Sequence, residues 1–60
     1  MHRRLQEAIS NGTLIGINLG NGWELVLDAI LNSHSGTLDY RSERARRVVS
    51  ISAIIGVALR

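Results

Sequence analysis

The residues of this chain that could do chemistry are arginines, carboxylates and two histidines, and their spacing favours binding over catalysis. All seven basic residues are arginine, and cysteine is absent. The acidic residues stand apart from one another and from His2 and His34, so they match no metal-binding motif and no catalytic triad. Two histidines without cysteine do not make an ordinary structural zinc site. We therefore expect no catalytic residue, no metal, no cofactor and no small-molecule substrate.

The arginines fall into two groups whose positions are more informative than the net charge of +2. Arg3 and Arg4 form one group near the start. The second group lies within seven residues and is opposed by Asp39 and Glu43; its members are Arg41, Arg44, Arg46 and Arg47. In an assembly of several copies these groups would repeat and form a positive band that attracts an anionic partner. The alternative is a solvated loop whose arginines only maintain solubility.

Chain length and composition predict one domain that associates with itself. A chain of 60 residues buries only about 60% of the surface that it exposes when unfolded, so its core alone gives marginal stability. No disulfide can supplement that core. Hydrophobic residues make up 45% of the chain, which is more than so small a monomer can hide without an exposed patch. Oligomerisation would cover the remainder.

The elements that position these groups can be read from periodicity. Leu5, Ala8 and Ile9 recur at helical spacing and predict a short amphipathic helix over about residues 2–10, ended by Asn11 and Gly12. Runs of β-prone residues then predict five strands at about 14–19, 23–32, 36–41, 46–52 and 54–59. We therefore expect a mostly β fold, with the helix followed by a strongly bent, five-stranded, SH3-like small barrel in a single domain over residues 1–60.

The first hairpin, the long second strand and the segment over residues 42–59 each have their own signals in the sequence. Gly20-Asn21-Gly22 favours a tight hairpin between the first two strands. The second strand is long enough that it should bend, each half burying a different side. An alternative single helix over residues 42–59 is disfavoured, because β-branched residues dominate that stretch.

The hydrophobic patterns predict no membrane segment and no leader. The apolar run over residues 48–59 is too short for a transmembrane helix, which needs about 20 residues. The first four residues, Met1-His2-Arg3-Arg4, lead into a polar amphipathic segment, unlike a signal peptide. We expect a soluble protein of the cytoplasm.

Two aromatic residues and two carboxylates allow more than one interpretation. Trp23 follows the hairpin directly and is either a base-stacking platform or part of the core. Tyr40 should lie in the core or at an interface with its hydroxyl at the rim. Asp39 is expected to accept from a nearby arginine, and Asp28 could pair with an arginine of a neighbouring copy.

The order of elements resembles the Sm-like (LSm) family and, within it, the Hfq group of bacterial RNA chaperones. The resemblance rests on the short helix, the hairpin through Leu19-Gly20-Asn21-Gly22, the bent second strand and the final Val49-Ser50-Ile51-Ser52-Ala53-Ile54-Ile55-Gly56-Val57. It covers roughly residues 3–60. This chain differs in the pore positions: Ser35 stands where Hfq-like proteins have an aromatic residue, and Ile51-Ser52 stands where they have lysine and histidine.

The resemblance implies a hexameric or heptameric ring that binds single-stranded RNA. The last strand of each copy would add to the fourth strand of its neighbour, through an oligomer interface made of Val49, Ile51, Ile54, Ile55, Val57 and Leu59. The RNA-binding residues carried over, together with nearby groups, are Arg3, Arg4 and Gln6 on the helix, His34, Ser35 and Ser52 near the pore, Arg46 and Arg47 in the charged segment, and Trp23 near the opposite face.

Two other classes of function stay open. The chain could be a structural or protein-interaction β-barrel oligomer without a nucleic-acid ligand. It could also be a small DNA-binding regulator, although no helix is long enough to read a groove.

Overall fold

One N-terminal helix and six short strands form two three-stranded antiparallel sheets. The computed structural model describes residues 2–60. Its elements are α1 (His2–Ser10), β1 (Leu14–Asn18), β2 (Trp23–Leu25), β3 (Asp28–Asn32), β4 (Thr37–Arg41), β5 (Arg46–Ser50), a 3-10 turn (Ile51–Ala53) and β6 (Gly56–Leu59). The first sheet has the order β2-β1-β6 and the second β3-β4-β5. The mostly β fold with a short N-terminal helix is confirmed. Six strands in two small sheets are found in place of the expected five-stranded barrel.

Helix α1 ends where the sequence predicts, by a mechanism that favours glycine. Thr13 N–H donates to the Ala8 carbonyl at 2.9 Å and Gly12 N–H donates to the Ile9 carbonyl at 3.1 Å. These two bonds form a Schellman motif, in which the residue after the helix adopts a left-handed conformation. Gly12 has φ +68°, which a glycine adopts without strain. The motif turns the chain from α1 directly into β1.

The first hairpin lies where Gly20-Asn21-Gly22 predicts it, but its geometry is different. Asn18 pairs with Trp23 across the ladder, so four residues connect β1 to β2. The positive φ angles fall on Gly20 and Gly22 and not on the asparagine between them. Asn18 Oδ1 accepts the Gly20 N–H at 2.8 Å, which fixes the start of the turn.

The predicted second strand is divided at Val26 and Leu27, where the chain passes from one sheet to the other. Val26 N–H donates to the Ile15 carbonyl of β1 at 2.9 Å, and the next N–H, of Leu27, donates to the Arg41 carbonyl of β4 at 2.8 Å. The Val26 side chain points inward at the end of the first segment, and the Ala29 and Leu31 side chains point inward in the second. The expected bend is therefore real, and it separates β2 from β3.

The chain crosses back from the second sheet to the first through the 3-10 turn. The sequence predicts strands at 46–52 and 54–59, but β5 stops at Ser50 and β6 begins at Gly56. Ile51 N–H donates to the Gly36 carbonyl at 2.9 Å and Ile54 N–H donates to the Ile51 carbonyl at 3.1 Å. Both isoleucine side chains thereby enter the core. The alternative single helix over residues 42–59 is wrong.

A core of nine buried residues lies between the two sheets and α1. It comprises Leu5, Ala8, Leu14, Ile17, Val26, Leu38, Tyr40, Ile51 and Ile54. The helix, β1 and β4 supply most of it, and half-buried residues of β3, β5 and β6 pack against it. Within residues 2–60 no helix is both long and apolar enough to cross a membrane.

Candidate nucleic-acid interface

The sequence-predicted RNA-binding residues lie in three separate places. The first is the outer side of α1, where Arg3, Arg4 and Gln6 are exposed because Leu5 and Ala8 turn the opposite side of the helix into the core. Neither Arg3 nor Arg4 has a carboxylate partner among residues 2–60.

The second place is the end of the second sheet where β3 turns into β4. His34 and Ser35 are exposed in this turn, and Asn32 Oδ1 accepts both of their N–H groups, at 3.0 and 3.1 Å. The bond from Ile51 N–H to the Gly36 carbonyl brings the 3-10 turn, and with it the exposed Ser52, alongside. His34, Ser35 and Ser52 therefore share one end of the molecule.

Hydroxyl groups dominate that end. Ser35 Oγ and Thr37 Oγ1 are hydrogen bonded at 2.8 Å, and Ser50 Oγ and Ser52 Oγ are hydrogen bonded at the same distance. Thr37 and Ser50 are register partners, so the two pairs adjoin. We call these four residues the hydroxyl cluster. It offers neutral donors and acceptors with the exposed His34 beside them, and no arginine belongs to it.

The third place is the opposite end of the second sheet, where Arg46 and Arg47 lie on β5 and Trp23 of the first sheet lies across a groove from Arg47. Arg46 and Ser50 are the two ends of β5, so about 13 Å of strand separates this end from the hydroxyl cluster. Both arginines are engaged here. Arg46 Nη1 donates to Asp39 Oδ1 at 3.0 Å, and Arg47 Nη1 donates to Glu24 Oε2 at 3.1 Å.

Arg47 belongs to a small polar network that joins the sheets. Glu24 of β2 accepts from Arg47 of β5 through one carboxylate oxygen and from the Tyr40 hydroxyl through the other, at 2.7 Å. Tyr40 is fully buried, in line with its predicted place in the core, and its hydroxyl bonds to the half-exposed Glu24 instead of lying open at the rim. Burial, followed by the hydrogen bond to Glu24, raises the pKa of Tyr40 above its usual value.

The ion pairs separate the arginines into engaged and available groups. Arg41 pairs with Asp28 at 2.8 Å within the same chain. The sequence alone allowed an arginine of a neighbouring copy as the partner of Asp28. With Arg46 and Arg47, three of the four clustered arginines hold carboxylates. Arg44 has no ion pair among residues 2–60. The sequence does not distinguish Arg44 from the other three arginines of its group. Arg44 lacks an ion pair in the part of the chain that the structure describes, because the folded sheets bring Asp28, Asp39 and Glu24 to the other three.

A groove of about 540 Å³ opens beside this network. One wall is β2, from Trp23 to Leu25, and the other is the 42–45 connection together with Arg47. The connection is held closed by Ser42, whose N–H and hydroxyl both donate to the Ala45 carbonyl, at 2.9 and 3.1 Å. We call this feature the Trp23 groove.

Trp23 lies on the outer surface of the first sheet and is 61% exposed, so its interpretation as a core residue is wrong. A Cβ at Gly56 would lie 3.3 Å from Trp23 Cη2, and a Cβ at Gly16 would lie 3.9 Å from Trp23 Cε3. The six-membered ring thus lies near the Cβ positions of glycines in both β1 and β6. The sheet supports the indole from below and leaves much of its surface open to solvent.

The predicted interface residues divide between core and surface. Ile51 and Ile54 are buried in their own chain, whereas Val49 and Val57 are half-buried against the core. Ile55 and Leu59 are exposed, at 66% and 50%. These last two are available for contact with another copy.

Comparison with known proteins identifies no relative. No family model matches the chain, and neither a curated protein nor a solved structure is significantly similar to it.

Proposed function

We propose that this chain is a ring-forming, cytoplasmic protein of Sm-like type that binds single-stranded RNA, as an RNA chaperone or post-transcriptional regulator. The order of elements supports the resemblance. If β2 and β3 are counted as one bent strand, the chain has a helix and five strands with a 3-10 turn before the last strand. In this view the two sheets are the halves of an Sm-like barrel.

The observation that carries the proposal is that each sheet has unpaired edges over the described residues, and that β5 and β6 are edge strands of different sheets. Strand β5 pairs only with β4, and β6 pairs only with β1, among residues 2–60. Exposed edges invite pairing with another chain. Joining β5 of one copy to β6 of the next is a head-to-tail contact, and such contacts close into rings when the rotation permits.

The edge of β5 has free hydrogen-bonding groups. Ser42 N–H donates to the Ala45 carbonyl and Ile51 N–H donates to the Gly36 carbonyl, and the register between these bonds is regular. Because paired and unpaired positions alternate in an antiparallel ladder, the N–H groups of Arg46, Val48 and Ser50 point away from β4. Carbonyl groups of a neighbouring strand could accept hydrogen bonds from all three N–H groups.

RNA binding is supported by an exposed aromatic ring together with arginines that have no carboxylate partner among residues 2–60. Single-strand binders combine stacking surfaces with cations that contact phosphates. Trp23 supplies the first and Arg3, Arg4 and Arg44 supply the second.

The protein-interaction alternative has an observation in its favour. Ile30 and Val48 flank Asp39 on the outer face of the second sheet, and both are more than 60% exposed. This apolar pair, bordered by the ion pairs of Arg41 and Arg46, suits contact with protein better than contact with phosphates.

The mass of the assembly and RNA binding test the proposal together. Native mass spectrometry should give a hexamer or heptamer, and fluorescence anisotropy should detect binding of a labelled 20-nucleotide RNA that weakens as salt rises. A ring that ignores RNA would favour the protein-interaction alternative. A monomer would contradict the Sm-like proposal.

A further inference from the structure

The Trp23 groove combines, in one place, two features that recognise a nucleotide. Its volume of about 540 Å³ lies within the range of about 300–1,000 Å³ typical of small-ligand sites. One wall carries the supported indole of Trp23, and the other carries Arg44. We propose that Trp23 and Arg44 together bind one nucleotide of a single-stranded chain, with its base stacked on the indole and its phosphate on the guanidinium.

The stacking half rests on how the indole is held. The glycine backbone beneath Trp23 lets the ring lie close to the sheet, so little side-chain freedom is lost when a base covers its outer surface. Trp23 is 61% exposed, so a large part of its surface is open to a base. Stacking on such a surface accepts any base, because every base has a π-face.

The phosphate half rests on the charges that face the groove. These are Glu24, Glu43, Arg44 and Arg47. Glu24 and Arg47 neutralise each other in a 3.1 Å ion pair, so a phosphate would have to compete with Glu24 for Arg47. Arg44 and Glu43 remain without ion-pair partners among residues 2–60. Arg44 is therefore the cation that can meet a phosphate, and Glu43 opposes the same phosphate.

This assignment rests on the proposed RNA function and makes it more specific. Of the four clustered arginines, only Arg44 should contribute to the salt dependence of binding, because Arg41, Arg46 and Arg47 are engaged by Asp28, Asp39 and Glu24. For single strands, the logarithm of affinity falls as the logarithm of salt concentration rises, and each phosphate contact contributes about −0.7 to that slope.

The chain offers its own reporter, because Trp23 is its single tryptophan. Labelled 20-nucleotide RNAs of adenine or of uracil are titrated into the whole protein, and anisotropy of the label and fluorescence of Trp23 are recorded together. We expect Trp23 fluorescence to be quenched in step with the rise in anisotropy. Trp23→Leu should weaken binding by about tenfold or more, with Trp23→Phe between the two.

Charge variants, with a matched control, test whether Arg44 binds the phosphate. Arg44→Ala should weaken binding and lower the salt slope, and Glu43→Gln should tighten binding. Arg60→Ala removes the same charge at the other end of β1, where its N–H donates to the Thr13 carbonyl, and should leave binding nearly unchanged. Circular dichroism spectra of all variants establish that they are folded.

The outcomes separate this proposal from the proposed function. RNA that binds without quenching Trp23, and equally well to Trp23→Leu and Arg44→Ala, overturns the nucleotide site and leaves RNA binding intact. Quenching with equal losses for Arg44→Ala and Arg60→Ala overturns the role of Arg44. Absence of any anisotropy change in the wild-type protein overturns both.

Discussion

The Tyr40 hydroxyl donates a 2.7 Å hydrogen bond to Glu24 Oε1, and this bond joins the two sheets. Tyr40 lies on β4 and Glu24 on β2, sixteen residues apart in the chain. The same carboxylate receives Arg47 from β5. The sheets are thus joined by a polar network at one end, in addition to the apolar core between them.

Replacing Tyr40 with phenylalanine should destabilise the fold without changing its packing. The variant loses one hydrogen bond to a charged acceptor, so the free energy of unfolding should fall by about 1–3 kcal/mol. Urea denaturation followed by circular dichroism, at one fixed protein concentration, measures the change. Glu24→Gln also loses the Arg47 ion pair, so the double variant of Tyr40→Phe and Glu24→Gln is measured too; losses that simply add would argue against a contribution from the bond between Tyr40 and Glu24.

The raised pKa of Tyr40 makes stability fall at alkaline pH. Because the folded pKa lies above the unfolded value of 10.0, the contribution is complete below pH 10 and is lost as pH rises through the folded value. The chain has no cysteine and no lysine, so no other side chain titrates in this window, and ultraviolet absorbance of the phenolate reports Tyr40 alone. Tyr40→Phe should lack this alkaline loss of stability. If Tyr40→Phe loses stability above pH 10 as steeply as the wild type, the alkaline loss does not come from Tyr40.

A methyl group at Gly56 should displace Trp23. The added Cβ would stand 3.3 Å from Trp23 Cη2, closer than ordinary van der Waals contact, so the indole must shift. We expect Gly56→Ala to move the emission maximum of Trp23 to longer wavelength and Gly56→Val to move it further.

Gly12→Ala provides the control for this emission change. Its φ of +68° makes the substitution strained, but a Cβ there meets nothing within 4 Å. Stability should fall by about 1–2 kcal/mol, whereas Trp23 emission should stay constant. An emission change as large as that of Gly56→Ala would mean that loss of stability, not the local contact, moves the indole.

Proline at Val48 should prevent assembly without breaking a bond inside the chain. The Val48 N–H points away from β4, so proline removes only the donor that a neighbouring strand would use. Light scattering should give single copies or small species for Val48→Pro and the full assembly for Val48→Ala. Ile55 is a poorer position for this test, because its N–H donates to the Asn18 carbonyl within the chain at 2.8 Å. A full-sized assembly of Val48→Pro would exclude β5 from the interface.

Local signals in the sequence predicted the parts of the fold that depend on neighbouring residues. The helix follows from the spacing of Leu5, Ala8 and Ile9, and its end follows from Gly12. The first hairpin follows from its glycines, although the positive φ angles fall on Gly20 and Gly22 because the connection has four residues.

Other features depended on distant parts of the chain, and the sequence predicted them poorly. Ile51 and Ile54 have strong β propensity, yet they occupy a 3-10 turn and its end because the chain must cross between sheets there. The close approach of Trp23 to the sheet depends on Gly56, thirty-three positions later. Which arginines are engaged depends on the placement of Glu24, Asp28 and Asp39, which periodicity does not encode.

The junction at Val26 and Leu27, whose successive N–H groups bond to different sheets, also limits how the length of this chain can vary in evolution. One inserted residue would turn Ala29 and Leu31 outward and Ile30 inward, since side chains alternate along a strand. Extra residues in the 33–36 or 42–45 turns would leave that alternation intact. Insertions and deletions among homologues should therefore collect in those turns, and the count of residues from Trp23 to Asn32 should stay constant.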